Sequence, residues 1–308
     1  MKETIEEILH LWGIGKSRVS QIYSSAWEID HDYVIKVYDD REQLERNIRI
    51  MTILWDCGIP VAEILPTKAG EKYIARKGHY FFLSKKLQGT RVSDLKDEKI
   101  AWEMGRAIAQ LHRAFRICET KVEFRDNSLL AEMKGWIREN LAKDGWNTVS
   151  RAEYANALER LEQGYDSLPR QLIHRDVHYE NFLFYEGRLS GYIDFDLSQR
   201  NIRIFDLGYF LAGLLAEELR EPFTKEEWSK DVEAAIAGYE SVEKLSARER
   251  AAIPCVMECI EILFAAYFIG MGDAECARSA CGIFHFIQGC ESDMDNREPD
   301  ALDCQVLL

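Results

Sequence analysis

Eight cysteines are spread over 308 residues, but no two form a Cys-x-x-Cys pair, so the usual zinc and dithiol spacings are missing. Five of them follow Pro254 in helical stretches (Cys255, Cys259, Cys276, Cys281 and Cys290) and Cys304 lies near the end, a pattern that reads as reduced thiols used as small apolar residues, with a zinc site as the alternative. No apolar run is expected to reach the ~18 residues of a membrane span. The N-terminus, MKETIEEILHLWG, is an acidic amphipathic helix rather than a targeting peptide, so the expected location is cytoplasmic. Basic residues are also short: the formal net charge is −14 and the pI about 5.1, which argues against nucleic-acid and anionic-membrane partners. That charge is compatible with a cationic ligand, and simple solubility explains it as well. Internal repeats and low-complexity stretches are absent. Gly13-Ile14-Gly15-Lys16-Ser17 imitates the end of a P-loop, but the leading glycine would fall at His10 and a strand-like RVSQIY follows where a helix is required.

What is present is an ordinary globular composition, 47% hydrophobic, enough for a large core in two lobes. The densest polar chemistry lies from His174 to Asp196, HRDVHYENFLFYEGRLSGYIDFD. Asn181 to Tyr185 and Arg188 to Phe195 are aromatic and β-branched runs separated by Glu186-Gly187, which suits a tight hairpin turn. A regular hairpin pairs Tyr185 with Arg188 and Asn181 with Tyr192. Asn181, Tyr192 and Asp194 then share one face, with Asp194 about 7–8 Å diagonally from Asn181. Asp176 falls in a loop overhanging them. A carboxylate and a carboxamide form an oxygen-only set suited to Mg²⁺, and the extra acid can orient or deprotonate an attacking hydroxyl. Two other readings compete: His174, Asp176 and His178 as a transition-metal site, and a polar loop that merely caps the hairpin.

H-R-D-x-x-x-x-N followed by I-D-F-D resembles the catalytic and metal-binding loops of kinase-like phosphotransferases, in particular the aminoglycoside phosphotransferase/choline kinase family. The resemblance implies Asp176 as the catalytic acid/base, Asn181 and Asp194 as Mg²⁺ ligands, Asp196 as an extra metal contact and His174 as support for the loop. Lys36, mid-strand in YVIKVY, matches the family's lysine for the α- and β-phosphates of ATP or GTP. An acid on the helix Asp40 to Asp56 should orient it. The family position falls on Asn47, and Glu45 is the expected substitute, ahead of Glu42. That helix should bury Leu44, Ile48, Met51 and Trp55. The loop Ser24 to Asp30 takes the place of the phosphate-covering loop but lacks glycine. KKLQGTRV resembles the hinge, where backbone around Lys85 to Leu87 would meet the adenine edge and Gly89 would let the chain turn.

From Ser93 onward helices dominate, including Trp102 to Phe115, with His112 packed or capping, and two amphipathic helices broken at Asp144-Gly145-Trp146. Only a short run separates Asp194 from Asp206, without the A-P-E ending that holds a peptide substrate, so a small acceptor is expected. Asp206 resembles the family residue that braces the catalytic loop and suits helix capping too. Glu217, Glu218, Glu258, Glu261 and Asp273 are acids available for an amine. The expected architecture is an α+β, two-lobed kinase-like fold: residues 1–88 as a nucleotide-binding lobe with a five-stranded antiparallel sheet and one main helix, and residues 89–308 as a mostly helical catalytic and substrate-binding lobe. The expected activity is Mg²⁺-dependent phosphoryl transfer from ATP or GTP to a small hydroxylated molecule; the alternative, from the glycine-free loop and Asn47, is a kinase-like binding protein with little or no catalysis.

Overall fold

The structure is a computed structural model that describes residues 1–92, 96–216 and 222–295. Glu217, Glu218, Cys304 and the end of the acidic tail lie outside the described residues. The chain begins with α1 (Lys2–Ile8), whose Ile5 and Ile8 enter a small core with strands β1 (Val19–Tyr23), β2 (Ala26–Ile29) and β3 (Tyr33–Tyr38). Helix α2 (Arg41–Asp56) is capped by the Asp40 carboxylate accepting from Glu42 N–H. It buries Leu44 and Ile48 as expected, but Trp55 is 51% exposed, because Ile50, Ile53 and Leu54 turn the stripe inward elsewhere. Strands β4 (Ile64–Leu65), β5 (Ile74–Arg76) and β6 (His79–Lys85) follow, β5 and β6 joined at Lys77-Gly78.

The sheet has six strands rather than five, ordered β1-β2-β3-β6-β4 with β5 on β6, and all pairs are antiparallel. The discrepancy lies in Ser24 to Asp30. Only Ser24-Ser25 turns, and Ala26–Ile29 is a buried strand in register with β3, Ala26 opposite Lys36. Trp27 and Ile29 supply the alternating apolar face that marks it.

After Gly89 helices dominate, in α3 (Glu98–Glu119), α4 (Leu129–Glu132), α5 (Arg138–Lys143) and α6 (Arg151–Gly164). Strand β7 (Arg170–Ile173), hairpin β8 (Phe182–Tyr185) and β9 (Arg188–Tyr192), and β10 (Gln199–Ile202) carry the polar stretch. Helices α7 (Ile204–Gly213), α8 (Lys225–Glu240), α9 (Ala247–Met271) and α10 (Ala274–Asp295) complete the described chain. One large core joins these helices to the hairpin. Helix α9 corrects the expectation about apolar runs: it is long and apolar enough to cross a membrane, but 67% of its apolar window is buried inside the protein, as in a core helix. Cys118, Cys255, Cys259, Cys281 and Cys290 are buried free thiols, and burial pushes Cys118 up to about 12, so it stays protonated.

Two backbone seams fasten the sheet to the hairpin. Tyr192 N–H donates to Pro60 in the turn after α2, and Thr90 and Phe184 exchange bonds of 2.9 and 2.8 Å beside the hinge. Gly89 has φ +111°, and a Cβ there would stand 2.7 Å from the Phe184 carbonyl, so the hinge requires glycine on both counts.

Candidate active site

The hairpin turn is as expected, with Tyr185 opposite Arg188, but the register changes one step further in. A bulge between Leu183 and Phe184 sets Phe184 against Leu189, Leu183 against Gly191 and Phe182, not Asn181, against Tyr192. The extra residue shifts the upper hairpin by one, which sends the Tyr192 ring into the core, where its hydroxyl donates to the Ala107 carbonyl. Asn181 is instead the last residue of a short turn, Tyr179–Asn181, and its carbonyl accepts from Ile193 N–H at 3.0 Å. That single bond puts Asn181 next to Asp194. Both line one cleft of about 380 Å³, together with Lys36, Tyr38, Asn47, Lys85 and Leu87. The expected shared strand face is therefore wrong, while the convergence of the two residues stands on different geometry.

Asp176 lies between its two orienting partners. Asn181 Nδ2 donates to the Asp176 carboxylate at 2.9 Å and to its backbone carbonyl at 3.0 Å, and Tyr209 of α7 donates its hydroxyl to the other carboxylate oxygen at 2.7 Å. With both amide hydrogens given to Asp176, the Oδ1 of Asn181 is its remaining ligand atom, the hard oxygen donor that a divalent cation takes. Burial first, and then the adjoining Asp176 charge, push the Tyr209 phenol well above its usual range, so it remains a donor.

Buried Asp206 braces the loop from beneath. It accepts from the amides of His174 and Arg175, both at 2.8 Å, and from His112 Nε2 at 3.0 Å, while Tyr239 meets the other His112 nitrogen at 2.9 Å. It lies in the first turn of α7, but its side chain serves the His174-Arg175 backbone rather than the helix end. His174 is fully buried; one ring nitrogen faces the Ile193 carbonyl at 3.2 Å and the other accepts from Asp176 N–H at 3.3 Å. Both nitrogens are thus engaged in holding backbone, which answers the transition-metal reading of His174, Asp176 and His178. Arg175 and Asp194 have φ of 69° and 64°, left-handed values that cost a non-glycine residue roughly 1 kcal/mol or more. The bonds from Asp206 hold the first of them.

Lys36 does not meet the expected acid on α2. Its ammonium donates to Asp194 at 3.0 Å and Asp196 at 2.9 Å, while Glu45 is taken up by Arg41 at 2.9 Å and Tyr73 at 2.6 Å. Glu45 is one helical turn from Arg41, a pairing local enough to win. Asn47, at the family position, reaches the same cluster by donating to Asp196 and, at 3.0 Å, to Tyr38. Tyr38 in turn donates to Asp196 at 2.9 Å. Burial opposes the Lys36 charge, but Tyr38, Asp196 and Asp194 outweigh it and hold the ammonium protonated. Burial raises Asp196, with its neighbour Asp194 adding to the effect, whereas Asp194 is lowered because Lys36 overcomes its burial. At the hinge, the amides of Lys85 and Lys86 are already given to the carbonyls of Glu63 and Asp32, and the Lys85 ammonium pairs with Glu63 at 2.6 Å. The Leu87 amide is not drawn into the backbone bonds that hold these neighbours.

Tyr38, Tyr209 and the His112–Asp206 link are functional neighbours absent from the expected set. Two carried a signal: Tyr38 lies two residues from Lys36 on the same strand face, and Tyr209 one helical turn after Asp206.

A two-lobed fold with these loops meeting in its cleft defines a protein-kinase-like protein. A model of the phosphotransferase enzyme family matches residues 17–252, and the chain belongs to that family. It is 30% identical over 185 residues to a homoserine kinase of Gluconobacter oxydans, a stretch covering 58% of this chain and 55% of that one. A homoserine kinase of Polaromonas naphthalenivorans is 26% identical over 256 residues, covering 78% and 77%. For several such relatives the chain spans only about half their length. Among solved structures, an amicoumacin kinase in complex with AMP-PNP, Ca²⁺ and Ami shares the fold, with a TM-score of 0.68 at 14% identity over 95% of this chain and 93% of that one.

Proposed function

We propose that this protein transfers the γ-phosphoryl group of ATP or GTP, bound with Mg²⁺, to a hydroxyl of a small molecule. The observation that carries the reading is Asp176, fixed by Asn181 and Tyr209 beside a cleft lined by Asn181, Asp194 and Lys36. In it, Asp176 accepts or orients the proton of the acceptor hydroxyl, for which general-base positioning contributes roughly 10²–10⁴-fold. Asn181 Oδ1 and an Asp194 oxygen would hold the metal, with Asp196 as a further contact. The chemistry a divalent ion would supply there is neutralisation of phosphate charge. Lys36, now neutralising Asp194 and Asp196, turns to the α- and β-phosphates, and Leu87 with Lys85 borders the adenine. Residues 1–88 and 89–308 are then the lobes that hold nucleotide and acceptor.

An acceptor bearing an amine is the narrower form of the proposal. Of the acids considered for that role, Glu258 is paired with Arg160 at 2.9 Å and Asp273 accepts from Cys276 N–H at 3.0 Å. Glu261 has no hydrogen-bond partner among the described residues and lies near enough to Tyr209 to raise it. The named activity of the matched relatives makes homoserine the first acceptor to assay, with amino alcohols and aminosugars next. The test is nucleotide consumption across hydroxylated metabolites. Asp176→Ala should lower turnover by about 10²–10⁴-fold with nucleotide affinity nearly unchanged, whereas Asp194→Ala should weaken Mg-nucleotide binding as well. Turnover in Asp176→Ala equal to wild type would overturn the mechanism, and Mg-nucleotide binding without transfer to any acceptor would favour a binding protein.

A further inference from the structure

Behind Asp196, away from the cleft, lies a second cavity of about 540 Å³, lined by Arg46 of α2, Arg125 and Trp136 on either side of α4, Arg175, and Ser198. Asp176, Tyr209 and Lys36 are not on its wall, so it is separate from the site of transfer. Asp196 is the partition, facing this cavity while its oxygens bind Lys36, Tyr38 and Asn47 on the cleft side.

The cavity has more cations than its own acids neutralise. Arg175 is committed to Glu132, another wall residue, through bonds of 2.8 and 3.3 Å, and Asp196 is held by Lys36. The guanidinium groups of Arg46 and Arg125 have no hydrogen-bond or ion-pair partner among the described residues, in a chain of net charge −14 where acids are plentiful, although the Arg125 backbone carbonyl accepts from Arg200 N–H. Two buried donors on the same wall are also unused: the Nε of Arg46 and the hydroxyl of Ser198, a residue only 5% exposed. A buried donor without an acceptor costs about 1–3 kcal/mol, and guanidinium groups favour planar, bidentate oxyanions. The volume exceeds what inorganic phosphate needs and falls in the range of small-metabolite sites, with Trp136 offering an apolar wall.

We propose that this cavity is a second ligand site, which takes a small metabolite through its oxyanion, a phosphate monoester or a carboxylate, bound by Arg46, Arg125 and Ser198. Such a ligand bridges α2 to the segments around α4 and after Asp196, and so touches both lobes. The inference does not depend on phosphoryl transfer, because it is read by binding.

The experiment is calorimetric titration of the full chain, with and without saturating Mg²⁺ and a non-hydrolysable ATP analogue, so that phosphate entering the nucleotide cleft is recognised by competition. Inorganic phosphate, glycerol 3-phosphate and succinate are the probes, against sodium chloride at matched ionic strength. Saturable binding that survives the analogue is expected for at least one probe; glycerol 3-phosphate alone points to a phosphate ester, succinate alone to a carboxylate. Arg46→Gln and Arg125→Gln should each weaken it by about tenfold. Exposed Arg125 makes its variant the safer one for folding, and nucleotide affinity in Arg125→Gln should stay as in wild type. Absence of saturable binding by all three probes, or binding that neither substitution weakens, would overturn the proposal.

Discussion

Glu261 shows what a single buried acid does to this protein. It is 3% exposed on α9, and burial pushes its carboxyl up to about 8. Below the ordinary glutamate range, it is protonated whether the chain is folded or not and has no effect. As pH rises from about 4.5 to about 8, the unfolded chain releases this proton while the folded chain keeps it, so stability declines and then levels off. Glu261→Gln removes that loss. It should raise the unfolding free energy by a few kcal/mol at pH 9, on the order expected for such a shift, and change it little at pH 4.5; denaturant unfolding at the two pH values measures it. Equal effects at both would mean that Glu261 is ionised in the fold. The polar residues that sequence brought forward at this scale were those with motif spacing, Asp176, Asn181, Asp194 and Asp206. The partners of Lys36 were not, because Asp194 and Asp196 lie more than 150 positions away in the chain while Glu45 looked close. Glu45 was already satisfied by Arg41, one turn before it, and Tyr73.

Among the elements, α3 and α8 approach most intimately. A Cβ on Gly105 of α3 would stand 1.9 Å from the Ala235 carbonyl of α8, and one on Gly238 of α8 would stand 1.9 Å from the Trp102 carbonyl of α3. The two glycines let the backbones touch from both sides, and the same helix α3 carries His112 to Asp206. Gly105→Ala or Gly238→Ala should cost about 1–3 kcal/mol of stability by forcing the pair apart, and the double variant should lose less than the sum because both disturb one contact; denaturant titration of the three proteins checks it. Full additivity would show that the helices adjust independently. The long amphipathic helices were readable from their apolar spacing. Strand β2 and the bulge in the β8–β9 hairpin were not. The first lies in a segment whose Ser24-Ser25 turn hides how soon the strand resumes, and the second adds a residue that no local signal marks in a run of β-formers.

At the scale of the whole molecule, the candidate active site exists only where the lobes meet. Lys36 of β3, Asn47 of α2 and the Asp194–Asp196 segment lock together with no local contact in the chain. A ligand that binds only this assembled cleft stabilises the whole fold, by about 2.7 kcal/mol at a hundred times its Kd. Mg-ATP or Mg-GTP should therefore raise the melting temperature of the proposed kinase, and EDTA should remove most of that gain by leaving the phosphates to face Asp194 and Asp196 uncompensated; a thermal shift unaffected by EDTA would contradict the metal ligation. The amino-acid sequence by itself determined the kinase-like fold class, through the resemblance carried by H-R-D-x-x-x-x-N and I-D-F-D, and brought forward Asp176, Asn181, Asp194 and Asp206, because motif spacing is a local property of the chain. Tertiary structure alone decided which acids hold Lys36, how Asn181 comes to lie beside Asp194, and that arginines from α2 and from the segment before α4 share one cavity. Those outcomes depend on a bulge and on side chains far apart in sequence, whose pairing is set only when the lobes pack.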